Sequence, residues 1–375
     1  MVWPLRKTFR SESNYLAACG SEVFAPALRL KTRGLQPPTE PAKWRKGLLV
    51  GANHIGDVLY RSSSLSQLSA GLPDCEWHFL APPPANEVLR GNPAISKVHP
   101  FDLPSSPDSA DFKALKQENY DVAICYDTGM YLRPLKLAVA LGIPNRVGYV
   151  HKGFSAWVTH PVPIRYPQPF PAYFRDLVAG LVGKSSEASL RPRVFATEQD
   201  DKLAAAFMSA MSLVPARPII ACFPATRQPG SEAVGAAICK ILWELESRSP
   251  KIQTVILGSP SEMSTLERLK SQCGISAKIG APPLPILPLV SFLKHCTAVL
   301  CADSGPRHLA NAAGTKVFFI RNLASEARET GVYLESETDL APQGLSHKSF
   351  DERVQTLGFF EPKLIADQIM RDVVR

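Results

Sequence analysis

The chain has 375 residues, 45% of them hydrophobic and 20% charged. That is enough apolar material for about two packed domains, and it argues against a disordered or fibrous chain. No apolar run reaches about eighteen residues, so no membrane-spanning helix is expected. The net charge of +8 is uneven: residues 1–46 hold nine Lys or Arg against three acidic residues, a net +6, and the rest is near neutral.

Residues 1–46 therefore read as a basic N-terminal extension. It is expected to be dispensable for the fold and suited to an anionic membrane surface. Leu16-Ala17-Ala18-Cys19 looks like a lipoprotein cleavage box, but Arg6, Lys7, Arg10 and Glu12 stand where a signal peptide needs an apolar run. No leader is expected. A strand at 48–50 then runs into GANHIGD (51–57) and a helix at 58–70, which Gly71 and Pro73 end. Strands at 77–81 and 121–125, a helix at 131–142 and a strand at 146–150 follow. After the Pro-rich 161–171 comes a helix at 172–182.

The second half repeats the alternation. Its strands are 218–223, 252–258, 298–302 and 316–320, and its helices are 232–247, 261–272, 288–296 and 307–314. Strands alternating with helices predict an α/β chain of two Rossmann-like domains, 47–185 and 190–345, each a parallel sheet, facing one another across a cleft. A terminal amphipathic segment at 350–375 is expected to pack back on the first domain. The eight cysteines form no C-x-x-C and several lie in strand-like runs, which points to buried free thiols in a reducing compartment.

Three strand-to-helix loops carry candidate chemistry, since ligands bind at the carboxyl ends of parallel strands. In GANHIGD, Asp57 opens a helix. It is either a carboxylate favoured by the helix dipole or a general base facing the cleft. In DSGPRH (303–308), Ser304, Gly305 and the helix start at Pro306 form an anion site, with Arg307 and His308 adding donors; a diphosphate is the expected guest. In PATRQPG (224–230), Thr226 and Arg227 reach phosphates from the other side.

On these residues the chain resembles the ADP-heptose:lipopolysaccharide heptosyltransferases, which have the GT-B fold. The resemblance is carried by 48–68, GNPAISKV (91–98), YDVAICYDTG (120–129), TVILGSPSE (254–262) and CADSGPRHLANAAGT (301–315), in the family's order. It implies inverting transfer of a sugar, heptose from ADP-heptose, to a lipopolysaccharide-type or other glycan. Asp57 matches the family base, and Asp303, Ser304, Gly305 and His308 match the donor segment. Asn53, His54 and Asp127 lie on the acceptor side. The chain has no D-x-D, and neither a metal nor another cofactor is expected. Two departures stand out. The 224–235 loop lacks the family's Lys-x-Trp-Pro stretch, so that Arg227 or Arg307 is expected to replace the Lys. The loop YDTG replaces D-x-Q-G. Another nucleotide-sugar donor, or a non-catalytic nucleotide- or glycan-binding relative, stays open. The expected location is the cytoplasm, peripherally at the inner face of the plasma membrane, with no nucleic-acid partner.

Overall fold

The computed structural model describes residues 4–6, 12–51, 53–104, 106–126, 132–151, 153–183, 189–226, 231–321, 327–340 and 361–373. They belong to two compact units, Met1–Leu190 and Arg191–Arg375.

In chain order the first unit holds α1 (Glu12–Val23), α2 (Ala25–Leu30), β1 (Lys46–Val50), α3 (Ile55–Ser62), α4 (Leu65–Gly71), β2 (Glu76–Leu80), β3 (Lys97–His99), α5 (Ala110–Gln117), β4 (Val122–Cys125), α6 (Leu132–Ala140), β5 (Asn145–Tyr149), β6 (His160–Val162) and α7 (Phe170–Val182). The strands form one parallel sheet in the order β3-β2-β1-β4-β5-β6. Its central strands are apolar at successive positions because helices cover both faces: Leu48, Leu49, Val50, Val122 and Ile124 are all buried. The helix expected at 58–70 is two helices. Ser62 and Ser63 hydroxyls donate back to the carbonyls of Leu59 (2.8 Å) and Tyr60 (3.3 Å), which competes with helix continuation there.

The extension departs from expectation. It is not a detached arm but part of the first unit's packing. Glu22 is fully buried and accepts from the Ser155 N–H (2.9 Å) and hydroxyl. Ser21 Oγ accepts from the Phe154 N–H (2.8 Å), and Trp157 Nε1 donates to the Leu28 carbonyl (3.1 Å). Gly153 makes the approach possible: at φ +85°, a Cβ there would stand 2.8 Å from Ser21 Oγ and 2.9 Å from the Ala18 carbonyl oxygen.

The second unit holds α8 (Glu198–Ala210), β7 (Ile219–Phe223), α9 (Ser231–Arg248), β8 (Gln253–Ile256), α10 (Met263–Cys273), β9 (Lys278–Ile279), α11 (Ile286–Leu293), β10 (Ala298–Ala302), α12 (Gly305–Ala313), β11 (Lys316–Ile320), α13 (Ala327–Thr330), β12 (Glu337–Asp339) and α14 (Pro362–Val373). Its sheet is also parallel, in the order β12-β11-β10-β7-β8-β9. The terminal helix, expected against the first domain, buries Ala366 and Ile369 in this unit's own core with Ile238, Leu242 and Leu245 of α9. Arg248 secures it, reaching Asp367 (2.5 Å) and the Lys363 carbonyl (3.0 Å). The cysteines are free thiols. Cys75, Cys125, Cys222, Cys239, Cys296 and Cys301 are buried, and Cys19 and Cys273 are partly exposed.

Candidate functional site

In the first unit the sheet order reverses between β1 and β4, whose Leu49 and Ile124 are paired. The loops leaving these two strands are where a ligand of a doubly wound sheet sits. Gly51, at φ +102°, lets them touch: a Cβ at this position would lie 2.3 Å from the Tyr126 carbonyl oxygen. Arg61, on α3, ties the loops together. Its guanidinium donates to the carbonyls of Gly51 and Tyr126 and lies 5.1 Å from the Tyr126 ring centroid. Nothing in the sequence marked Arg61 beyond its being a charge on the apolar face of a helix.

Asn53 and His54 precede α3, and Asp57 stands in its first turn, half-buried. Asp57 Oδ2 accepts from the His54 N–H at 3.2 Å, and its carbonyl accepts from Arg61 (2.9 Å). The carboxylate is therefore held at the helix start, on the loop that Arg61 braces. Asp127 lies outside the described residues.

In the second unit the reversal falls between β7 and β10, where Phe223 pairs Cys301. Two of the expected donor segments leave these neighbouring strand ends: Pro224-Ala225-Thr226 after β7, and Asp303 to His308 after β10. Thr226 lines a pocket with Ser231, Glu232, Glu262 and Arg268. Arg227 lies outside the described residues. Ser304 is the N-cap of α12, extended at φ −152°, and Gly305 and Pro306 follow in the first turn. The leading N–H groups of a helix have no partner within it, which suits an anion.

Arg307 does something other than expected. Its side chain is 1% exposed and turned into the unit. Nε and Nη2 donate to the two oxygens of Glu337 (2.6 and 2.9 Å), Nη1 to Asp303 (2.8 Å) and the Thr330 carbonyl (2.6 Å), and Nη2 also to the Gly331 carbonyl (2.6 Å). All five guanidinium N–H groups are used, and the group lies 3.6 Å from the Phe319 ring centroid. None is left for a phosphate, so Arg307 does not replace the family Lys. It joins Asp303 to β12. Burial works against its charge, but Asp303 and Glu337 hold its pKa above the ordinary value. His308 is buried beside it, with Nδ1 2.8 Å from the Tyr333 hydroxyl. Burial, then the charge of Arg307, pushes His308 well below its ordinary pKa, so it is neutral. Tyr333, Asn311 and Glu337 complete this cluster. Sequence reasoning assigned none of the three: Tyr333 and Glu337 lie outside the quoted motifs, and Asn311, though inside 301–315, was given no role.

Among the described residues one trio offers cation ligands within 4.8 Å of one another: His78, His99 and Glu118. Its groups are already engaged. His78 Nε2 meets Glu76 (3.0 Å), and the Tyr120 hydroxyl sits between His78 Nδ1 (2.9 Å) and His99 Nε2 (2.8 Å). Glu118 is neutralised by Lys46 (3.0 Å) and Lys97 (2.5 Å). The cluster joins β2, β3 and the start of β4.

Residues 110–320 match the family model for glycosyltransferase family 9 (heptosyltransferase). No curated protein sequence matches the chain significantly. Among solved structures, a glycosyl transferase family 9 protein from Veillonella parvula superimposes with a TM-score of 0.72 at 15% identity, over 90% of this chain and 99% of that one. E. coli ADP-heptose lps heptosyltransferase II gives 0.66 at 16% identity, over 88% and 98%. E. coli heptosyltransferase WaaC, solved with ADP-2-deoxy-2-fluoro heptose, gives 0.60 at 16% identity, over 87% and 99%.

Proposed function

Because the chain belongs to glycosyltransferase family 9, the heptosyltransferase family, and its two parallel sheets have the GT-B fold, we propose that it is an inverting, metal-independent transferase moving heptose from ADP-heptose to a lipopolysaccharide-type or other glycan. The observation that carries the donor side lies in the second unit. The Thr226 loop and the Asp303–His308 turn leave adjacent strands at the point where the sheet reverses. A diphosphate there meets the start of α12, Ser304 and neutral His308. WaaC, solved with a fluorinated ADP-heptose, supports the choice of donor.

In this reading Asp57 takes the proton of the acceptor hydroxyl. The hydroxyl oxygen forms the new bond at the anomeric carbon as the bond to ADP breaks, with inversion, and ADP leaves with the electron pair. The turn at 303–308 stabilises the departing diphosphate. Asp57→Asn should lower turnover about 10²–10⁴-fold with ADP affinity little changed, as loss of a general base does. Near-normal turnover of Asp57→Asn with an identified acceptor would remove Asp57 from this role. Activity should survive chelation of divalent ions; its loss to EDTA and return with one metal would overturn metal independence.

The full engagement of Arg307 favours one second reading, a nucleotide binder that has lost catalysis, because it removes one of the two candidates for the phosphate contact of the family Lys. ADP binding without transfer from any nucleotide-sugar would establish that reading.

The acceptor side brings a membrane into the proposal. No helix among the described residues is long and apolar enough to cross one. The extension nevertheless exposes Leu16, Val23, Phe24 (67% exposed) and Leu30, next to Arg29, Lys31 and Arg33. Apolar side chains with basic residues beside them in sequence suit an anionic membrane surface, and in this reading the protein is cytoplasmic and works at the inner face of the plasma membrane. Phe24→Ser should weaken sedimentation with phosphatidylserine vesicles, and equal sedimentation of the variant would remove the extension from this role.

A further inference from the structure

The cluster behind the donor turn has a direction that can be followed atom by atom. Glu337, on β12, accepts from Arg307, from the Tyr333 N–H (2.8 Å) and from Asn311 Nδ2 (2.7 Å). A carboxylate only accepts, so it faces the amide nitrogen of Asn311 and not the oxygen. Asn311 Oδ1 is buried and has no hydrogen-bond partner among the described residues, so the amide's orientation is set from the nitrogen side. The same Nδ2 donates to the Tyr333 hydroxyl oxygen at 2.8 Å. That oxygen accepts from Asn311, and the hydroxyl lies 2.8 Å from His308 Nδ1, within reach to donate its proton there. The ring of Tyr333 stacks on His308, with an interplanar angle of 29° and centroids 5.8 Å apart.

We infer that Glu337, Asn311 and Tyr333 are positioning residues that fix His308 as the neutral tautomer protonated at Nε2. The inference rests on the proposed donor site and deepens it. Phosphate oxygens accept and do not donate, so His308 serves a diphosphate only through an N–H. With Nδ1 occupied as an acceptor, Nε2 carries that N–H. The opposite tautomer would offer a lone pair where the leaving group gathers negative charge. Arg307 reinforces the arrangement, since its positive charge beside the ring opposes a second proton. The relay thus ties the choice of a single proton position to a carboxylate on the edge strand β12.

The test is nitrogen-15 NMR of histidine-labelled full-length protein without ligand, with His308 assigned by its own substitution. The wild type should show His308 neutral with the proton on Nε2 at pH 6. Tyr333→Phe keeps the stacked ring but removes the hydroxyl, and should give a mixture of tautomers. Asn311→Ala frees the hydroxyl to turn and should do the same, so either variant that folds decides the matter. In the same samples ADP affinity should fall about tenfold, the loss expected for one hydrogen bond to a charged group. A wild-type His308 protonated on Nδ1, or a tautomer unmoved in both variants, overturns the relay. A tautomer that shifts while ADP affinity stays constant upholds the relay and instead overturns the placing of the diphosphate on His308.

Discussion

Arg307 stands in the donor motif and was expected on a phosphate, yet its partners Thr330, Gly331 and Glu337 lie 23 to 30 residues further on. Removing one member of a buried charged group leaves the others uncompensated, at about 3–5 kcal/mol. Arg307→Ala should therefore destabilise the full chain in denaturant titration by about that amount. Arg307→Lys should rescue little, because an ammonium cannot fork between two carboxylates. Unchanged stability with weakened ADP binding would return Arg307 to the phosphate. At His99 the same physics acts through pH. Burial, then His78 and Lys97, lower its pKa from 6.5 to about 4. Between those values the unfolded chain binds a proton that the folded chain refuses, so stability is complete above 6.5 and declines as pH falls to 4. The full loss is about 3 kcal/mol. His99→Gln should flatten that part of the stability–pH curve. An unaltered slope would assign the acid sensitivity elsewhere.

At the level of elements, what was legible in the sequence followed strand chemistry. Central strands of a parallel sheet are continuous apolar runs, so 48–50, 121–125, 218–223 and 298–302 stood out against their glycine and proline boundaries. Edge strands did not. β3, β6, β9 and β12 are two or three residues each (KVH, HPV, KI and ETD), too short and too polar for any periodicity. One missed element was readable. At α8 the Thr197 hydroxyl accepts from the Asp200 N–H and the Asp200 carboxylate accepts from the Thr197 N–H (2.8 Å), a capping box visible as T-x-x-D. The docking of α1 and α2 could not be read, because composition reports charge and not the single buried carboxylate that anchors it. Glu22→Ala should cost about 1–3 kcal/mol, the penalty of leaving the Ser155 N–H and hydroxyl unpaired. Glu22→Gln keeps an acceptor and should cost less. If both variants melt with the wild type, the extension contributes nothing to the first unit.

At the scale of the whole molecule the charge is as uneven as the chemistry. Residues 1–46 carry a net +6 and include the exposed apolar side chains of α1 and α2, while the rest of the chain carries little net charge. Attraction between exposed charges is screened over about 10 Å at 0.1 M salt, whereas apolar insertion is not. Vesicle binding should therefore weaken as salt rises but persist in part at high salt, and the residue should vanish in Phe24→Ser. Binding abolished outright by salt would mean that charge acts alone. The site was legible to a similar depth. As candidates, Asp57 and the 303–308 turn are local motifs that a sequence displays, whereas Arg61, Tyr333 and Glu337 act across loops that only folding brings together.

The buried thiols give the chain a clock for each half. Alkylating reagents attack the thiolate, and burial pushes the Cys125 thiol up to about 12 and that of Cys222 well above its ordinary value. In native buffer iodoacetamide should first mark Cys19 and Cys273, as peptide mapping by mass spectrometry would show. Cys125 should then report the rate at which the first sheet opens, and Cys222 and Cys301 the rate for the second. Two well-separated rates would time the two halves individually, with no added label and no knowledge of the substrate.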